Sequence, residues 1–273
     1  MPKTISHSSK LEDLTTSYES LMAISTLMLK AHKAINSYII LHLPNANKGD
    51  GNLASIFAAI NYLLTKSNNL LIILPKRYSS YRGPYFADIF RVTTSRFLLL
   101  SFWDGGSKVY SFEPYKYLEF ATYLEIKAFN DYSHIRRSVV DKLKFFLFHL
   151  FENASHHGYS SDPIFICSSC RNSILKFTIT NCGQGFFKNI SQFNSKIINE
   201  EEAIILALEG NFSSGTHASG CLNSLMIFCI ENGGSLIIVS GSALVMAENV
   251  NRFSVHSLPG PFRGSIISLS IKV

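Results

Sequence analysis

The segment between residues 135 and 158 constrains the fold of this chain most. Val139, Leu143, Phe146, Leu147, Leu150 and Ala154 recur at helical spacing until the run closes at His157 and Gly158. Neither proline nor glycine interrupts it, so the spacing predicts a long amphipathic helix whose apolar stripe needs a partner layer. The chain supplies that layer downstream. Apolar runs near residues 164–167, 174–180, 235–240, 243–247, 252–256 and 265–271 are predicted strands. Helices are predicted over 201–209 and 222–231, and the polar stretch FFKNISQFNSKIINEEE between them and the earlier strands reads as mobile. The expected fold class is α/β, with a two-layer sandwich in the C-terminal half in which a mixed sheet is backed by helices.

The N-terminal part repeats a simpler rhythm. A helix is predicted over residues 10–34, then the strand YIILHL (38–43) ends at Pro44. The turn NANKGDGN leads into a helix over 53–66 and a second strand over 70–74, closed by Pro75. A short helix over 84–91 and a third strand over 96–102 complete the pattern. Such alternation predicts a smaller α/β unit with parallel strands and right-handed crossovers. Its outline resembles a STAS-like domain. The expected division is a helical segment (1–36), the small α/β domain (37–103), a linking region beginning in WDGGSK (104–134), and the main domain (135–273).

Composition narrows the function classes. A hydrophobic share of 47% against 16% charged residues supplies a sizeable core and excludes a disordered chain. No apolar run reaches the length of about 18 residues that a membrane helix needs, and the start MPKTISHSSK lacks the apolar core of a signal peptide. A cytoplasmic protein without a membrane partner is expected, its five cysteines reduced. Cys167 and Cys170 form a CxxC with no second pair at zinc spacing, so they read as buried strand thiols. The formal charge of +6 favours anionic partners. The densest basic group, Lys127, Arg136, Arg137, Lys142 and Lys144, is spread along a helix and reads as a solvated face. Nucleic acid is therefore not the expected partner.

Most of the 16 glycines lie between Gly158 and Gly264, a distribution suited to tight turns and close approach of backbone to ligand. Four landmarks follow in order there: FENASHHG (151–158) ending the long helix, TNCGQGF (180–186) after a strand, SSGTHASGCL (213–222) opening a helix, and ENGGSLIIVSG (231–241) passing from helix to strand. In this order the segment from residue 135 resembles the GHKL superfamily of histidine-kinase, anti-sigma-kinase, gyrase and heat-shock-chaperone ATP-binding domains, whose fold is the Bergerat type. Asn153, Ala154, His157 and Gly158 match its N-box, E-x-x-x-N-A-x-x-H-G. Gly183 and Gly185 match the G1 box, D-x-G-x-G. Gly220 matches the G2 region, and the loop at Gly215 and Thr216 resembles the segment preceding it.

The resemblance implies ATP and Mg²⁺ as ligands, an ATPase or protein kinase activity, and a protein partner; separately, helices such as that over residues 10–34 could pair in a homodimer. It implies Asn153 as the Mg²⁺ ligand, His157 beside it, Asn181, Gly183 and Gly185 around the adenine, and Gly215, Thr216 and Gly220 around the phosphates. Independent chemistry agrees: an asparagine on a helix offers a neutral oxygen to a hard cation, and a helix N-terminus offers free N–H groups to phosphate.

The departures are as informative. The N-box glutamate is His149, which shares a helix face with Asn153 and reads as a satisfied histidine, a base or a metal ligand. Glu152 lies about 100° around the helix from the asparagine. The adenine-binding aspartate is Asn181, whose neutral acceptor implies an affinity loss of about tenfold. Cys221 replaces the second G2 glycine, and the loop lacks its arginine. Two functions follow as expectations: an ATP-binding regulatory protein with weakened catalysis, or a degenerate domain acting as a protein-interaction scaffold without turnover.

Overall fold

A computed structural model describes residues 3–11, 15–43, 50–75, 92–93, 96–97, 109–132, 134–158, 161–210, 220–250 and 252–273. The N-terminal part contains strands β1 (Lys3–Ser8), β2 (Ser37–Leu43) and β3 (Leu70–Pro75), with helices α1 (Tyr18–Ala31) and α2 (Ala54–Thr65) between them. The strands pair in parallel in the order β1-β2-β3. Two short strands, β4 (Val92–Thr93) and β5 (Arg96–Phe97), form an antiparallel pair. The helix expected over 84–91 lies outside the described residues.

Helix α1 begins at Tyr18, later than the apolar spacing suggests, because Ser17 caps it: its hydroxyl accepts from the Ser20 N–H at 3.3 Å. Strand β1 has no apolar signature. Its side chains are mostly exposed, as suits an edge strand rich in Lys, Ser and His.

The second part begins with β6 (Val109–Phe112) and continues through α3 (Tyr117–Ile126), α4 (Arg137–His157), β7 (Ile164–Arg171) and β8 (Ile174–Asn181). Helices α5 (Phe186–Ile190), α6 (Glu200–Leu208) and α7 (Cys221–Glu231) follow, then β9 (Ser235–Asn249) and β10 (Arg252–Lys272). The sheet order is β6-β7-β8-β10-β9. Its described pairings are all antiparallel, and parallel pairing is confined to the smaller sheet. The segment read as a link therefore contributes an edge strand and a helix. The stretch read as mobile contains α5 and the start of α6. That helix is capped by Asn199, whose side chain accepts from the Glu202 N–H at 2.8 Å.

Two apolar cores flank the larger sheet. On one face, α3, α4, α6 and α7 bury Phe120, Leu147, Phe151, Ile204, Leu225 and Met226 against Ile166, Phe177, Ile238 and Leu269. On the other face, α1 and α2 are sandwiched against the small parallel sheet, burying Leu27, Phe57 and Ile60 with Phe165, Val239, Phe262 and Ile266. Burying a phenylalanine such as Phe151 fully contributes about 1.5–3 kcal/mol.

Cover on both faces explains why β9 and the end of β10 are almost continuously buried rather than alternating. The four closing strands expected from sequence are two long ones. Register shifts between Ser257 and Phe262, and between Phe262 and Ser265, accommodate the Pro259–Gly260–Pro261 run within β10. Among the described residues no helix is long and apolar enough to cross a membrane.

Candidate functional site at the end of the long helix

The inner stripe of α4 is consumed by the core: Leu147, Leu150, Phe151 and Ser155 are buried. His149, Glu152, Asn153 and His156 stand at spacings of three and four residues and share the opposite face. His149 Nδ1 lies 2.8 Å from Glu152 Oε2. The Phe145 ring packs edge-on against the imidazole, with centroids 4.4 Å apart. Phe145 also borders a groove of about 580 Å³ between α4 and α7, lined by Lys142, Phe146, Ser224 and Phe228 among others.

Asn153 is half-buried, and its amide has no hydrogen-bond partner among the described residues. His156 Nε2 lies 3.0 Å from the Tyr117 hydroxyl, and its ring also meets that of Tyr115. His157 provides the last residue of α4; its side chain lies outside the described groups.

The turn after β8 is fastened to the end of α4 through main chain. The Gln184 N–H donates to the Gly158 carbonyl at 2.8 Å. A Cβ at Gly183 would sit 2.0 Å from that same oxygen, so this approach requires glycine. Asn181 is only 8% exposed. Its Oδ1 accepts from the Gly183 and Ser265 N–H groups, each at 3.2 Å, and its Nδ2 donates to Ser265 Oγ at 2.9 Å. The expected adenine contact is thus an Asx-type turn former whose acceptor is already engaged.

Two residues outside the motifs complete this corner. Glu200 Oε2 accepts from the Phe187 N–H at 3.0 Å and from Ser240 Oγ at 2.6 Å, and Ser240 Oγ accepts from the Phe186 N–H at 2.9 Å. Together they satisfy the start of α5. A Cβ at Gly185 would fall 2.5 Å from Glu200 Oε1. The sequence signal for Glu200 is the capped NEEE start of α6. Ser240 has none, because it arrives from a distant strand.

The third motif reaches the same end of the helical layer. Gly220 adopts φ +81°, a left-handed conformation that favours glycine, and precedes the first turn of α7. A Cβ there would meet nothing within 4 Å. The Cys221 thiol in that turn is pushed up to about 11 by burial and by the charge of Glu152, which marks the approach of α4 to α7. Gly215 and Thr216 lie outside the described residues. The structure therefore brings together Asn153, His149, Gly158, Gly183, Gly185 and the α7 start, with Asn181 turned to structural use. Among the described residues no cluster of His, Cys, Asp and Glu is suited to hold a metal ion by itself. Asn153 with phosphate and water ligands would form a different kind of site.

No protein-family model matches the chain, and no curated protein matches it significantly.

Proposed function

We propose that the chain is an ATP-binding regulatory protein of the histidine-kinase or anti-sigma-kinase type, binding Mg-ATP where the end of α4, the β8–α5 turn and the start of α7 meet. The observation that carries this reading is the convergence of three motif segments far apart in sequence. Gly158 and Gln184 are joined by a main-chain hydrogen bond, and α4 and α7 flank a common groove lined by Phe146 and Phe228. The residues fit the ligand unevenly. Asn153 offers an unengaged amide oxygen to Mg²⁺, and the first N–H groups of an 11-residue helix offer positive potential to phosphate. The adenine end is weaker, since Asn181 Oδ1 already accepts two N–H groups. A regulator of this type acts through a protein partner.

The test is the melting temperature with Mg-ATP and Mg-ADP in wild type and Asn153→Ala. A ligand binding only the folded state stabilises it by about 2.7 kcal/mol at a hundredfold excess over Kd. The expected result is a shift of several degrees in wild type that is lost in the variant.

The engaged Asn181 and the filled space beside Gly185 favour a second reading: a scaffold that has lost the nucleotide and retains only protein contacts. It expects no shift at millimolar nucleotide in either protein.

A further inference from the structure

We propose that the outer ridge of α4 is a two-fold interface between two copies of this chain, the helices antiparallel and Phe145 beside the axis; this is independent of the nucleotide-binding reading above. Arg137, Asp141, Phe145, His149 and Glu152 follow one another at spacings of four and three residues along α4. Rows of this kind are the ridges by which helices pack on one another. Here the ridge faces away from the core. The side chains of Arg137 and Asp141 are 94% and 60% exposed, Phe145 is 57% exposed, and His149 and Glu152 are partly so. Helix α1, whose apolar spacing also suggests pairing, buries Leu21, Ile24 and Leu27 within the chain.

The order of charges along the ridge selects the partner. When the ridge is laid antiparallel on a second copy of itself about Phe145, Arg137 comes opposite Glu152 and Asp141 opposite His149. Asp141 and His149 lie four residues either side of Phe145, and Arg137 and Glu152 lie eight before and seven after it, so the members of each pair stand at matching heights. Acid meets base at both places. A parallel arrangement would set Asp141 against Asp141 and Glu152 against Glu152, which like-charge repulsion disfavours. Little is lost in forming the new pairs, since Arg137 Nε and Asp141 Oδ2 are 4.0 Å apart at an exposed site, where an ion pair contributes little.

Shape agrees with charge. The groove of about 580 Å³ between α4 and α7 runs beside Phe145, with Phe146, Ile227 and Phe228 in its walls. The Phe146 and Phe228 rings lie 5.4 Å apart between centroids, so an aromatic surface lines it. A two-fold interface presents the same patch from both copies, so the patch must carry a projection together with the hollow that receives it. An exposed ring next to an aromatic groove supplies both. Each Phe145 then enters the groove of the other copy, and two wetted apolar surfaces leave water at once.

The experiment is sedimentation equilibrium of the full chain over a range of concentrations, without nucleotide. Wild type is expected to associate reversibly to a dimer. Phe145→Asp should weaken the dimer by about 100-fold, since the ring is lost from two grooves and two charges enter them. Arg137→Glu and Glu152→Arg should each weaken it by about tenfold, and the two together should restore wild-type affinity to within about threefold. Melting temperatures at concentrations where every protein is monomeric should coincide; should Phe145→Asp fall below the rest, the charge exchange decides. Under mild oxidation Phe145→Cys should link two chains, whereas Arg137→Cys, whose two copies would stand about 24 Å apart along the axis, should not.

A chain that stays monomeric at the highest concentration overturns the interface. A dimer that Phe145→Asp leaves intact does so as well, as does a charge exchange that fails to recover what its two single variants lose. The Mg-ATP melting shift is read separately: its absence overturns the nucleotide reading and leaves the dimer standing.

Discussion

The two faces of the larger sheet handle polar groups in opposite ways. Beneath α1 and α2 the interface contains a buried polar seam. Asn52 is fully buried among the hydroxyls of Thr16, Thr178 and Ser268, and Ser55 Oγ lies 3.3 Å from Thr180 Oγ1. The Cys167 thiol donates to the Asn52 carbonyl at 2.9 Å, and Asp50 pairs with Lys176. On the helical face the core between α4, α7 and the sheet is apolar. Its polar residues lie at the rim, where Asn153 has an unengaged amide. Buried polar groups that satisfy one another fix how two layers dock. Those kept half-exposed and unengaged are available to a ligand. Two asparagines in one chain thus stand in opposite surroundings, Asn52 buried and engaged, Asn153 half-buried and unengaged.

The contrast is sharpest in a pair of substitutions. Asn52→Ala should cost about 3 kcal/mol, because it leaves several buried hydroxyls without their amide. Asn153→Ala should change stability by no more than about 0.5 kcal/mol while removing the Mg-ATP shift. Denaturant unfolding of both variants checks this. Equal costs would show that the seam is no more structural than the rim.

A smaller effect is expected where the N-terminal part meets the turn leading into β7. Asp162, only 6% exposed, accepts from the Tyr62 hydroxyl at 3.0 Å and pairs with Lys66 and Arg263. Asp162→Asn should cost about 2 kcal/mol at neutral pH. The hydrogen bond to Asp162 raises the Lys66 ammonium above its ordinary value, and burial followed by the same carboxylate raises the Tyr62 phenol. A group whose pKa is raised by folding contributes fully below its unfolded value and loses that contribution as pH climbs through the folded one. The gap between wild type and Asp162→Asn should therefore stay constant from pH 7 to about 10 and shrink above that. Unfolding curves across that range would break the assignment if the gap grew instead.

How far the sequence foretells these features depends on whether the signal is local. Helices α4, α6 and α7 are legible because each keeps a contiguous apolar stripe or a clear cap. The site residues they carry, His149, Asn153 and Gly220, are legible with them. Strand β1 is not, because an exposed edge strand of Lys, Thr, Ser and His has no apolar alternation to read. Strands β9 and β10 appear as four pieces because Gly241, Pro259 and Gly264 look like breaks; in the fold they sit at bends and register shifts of continuous strands. Asn181 stands at the aspartate position of its motif, but its engagement depends on Ser265, 84 residues away. Glu200 and Ser240 meet at Gly185 only through the tertiary fold.

The smallest expected effect uses the cysteines as reporters of the two faces. Burial pushes the Cys182 thiol, under α2, up to about 12, and the Cys229 thiol, within α7, up to about 12 as well. Cys221 at the rim reaches about 11, with the charge of Glu152 as its second cause after burial. At pH 8 its thiolate fraction is then about one in a thousand, and the other two have less still. A thiol reagent should therefore modify the half-buried Cys170 first and the remaining cysteines only slowly. Glu152→Ala removes one of the two causes acting on Cys221 and leaves untouched the burial that alone acts on Cys229. Its effect should be a few-fold faster modification at Cys221 alone, read by mass spectrometry of peptides after timed labelling. Acceleration at Cys229 or Cys182 to the same degree would mean that the substitution loosens the whole helical layer. Selective acceleration at Cys221 would locate the charge of Glu152 near the first turn of α7.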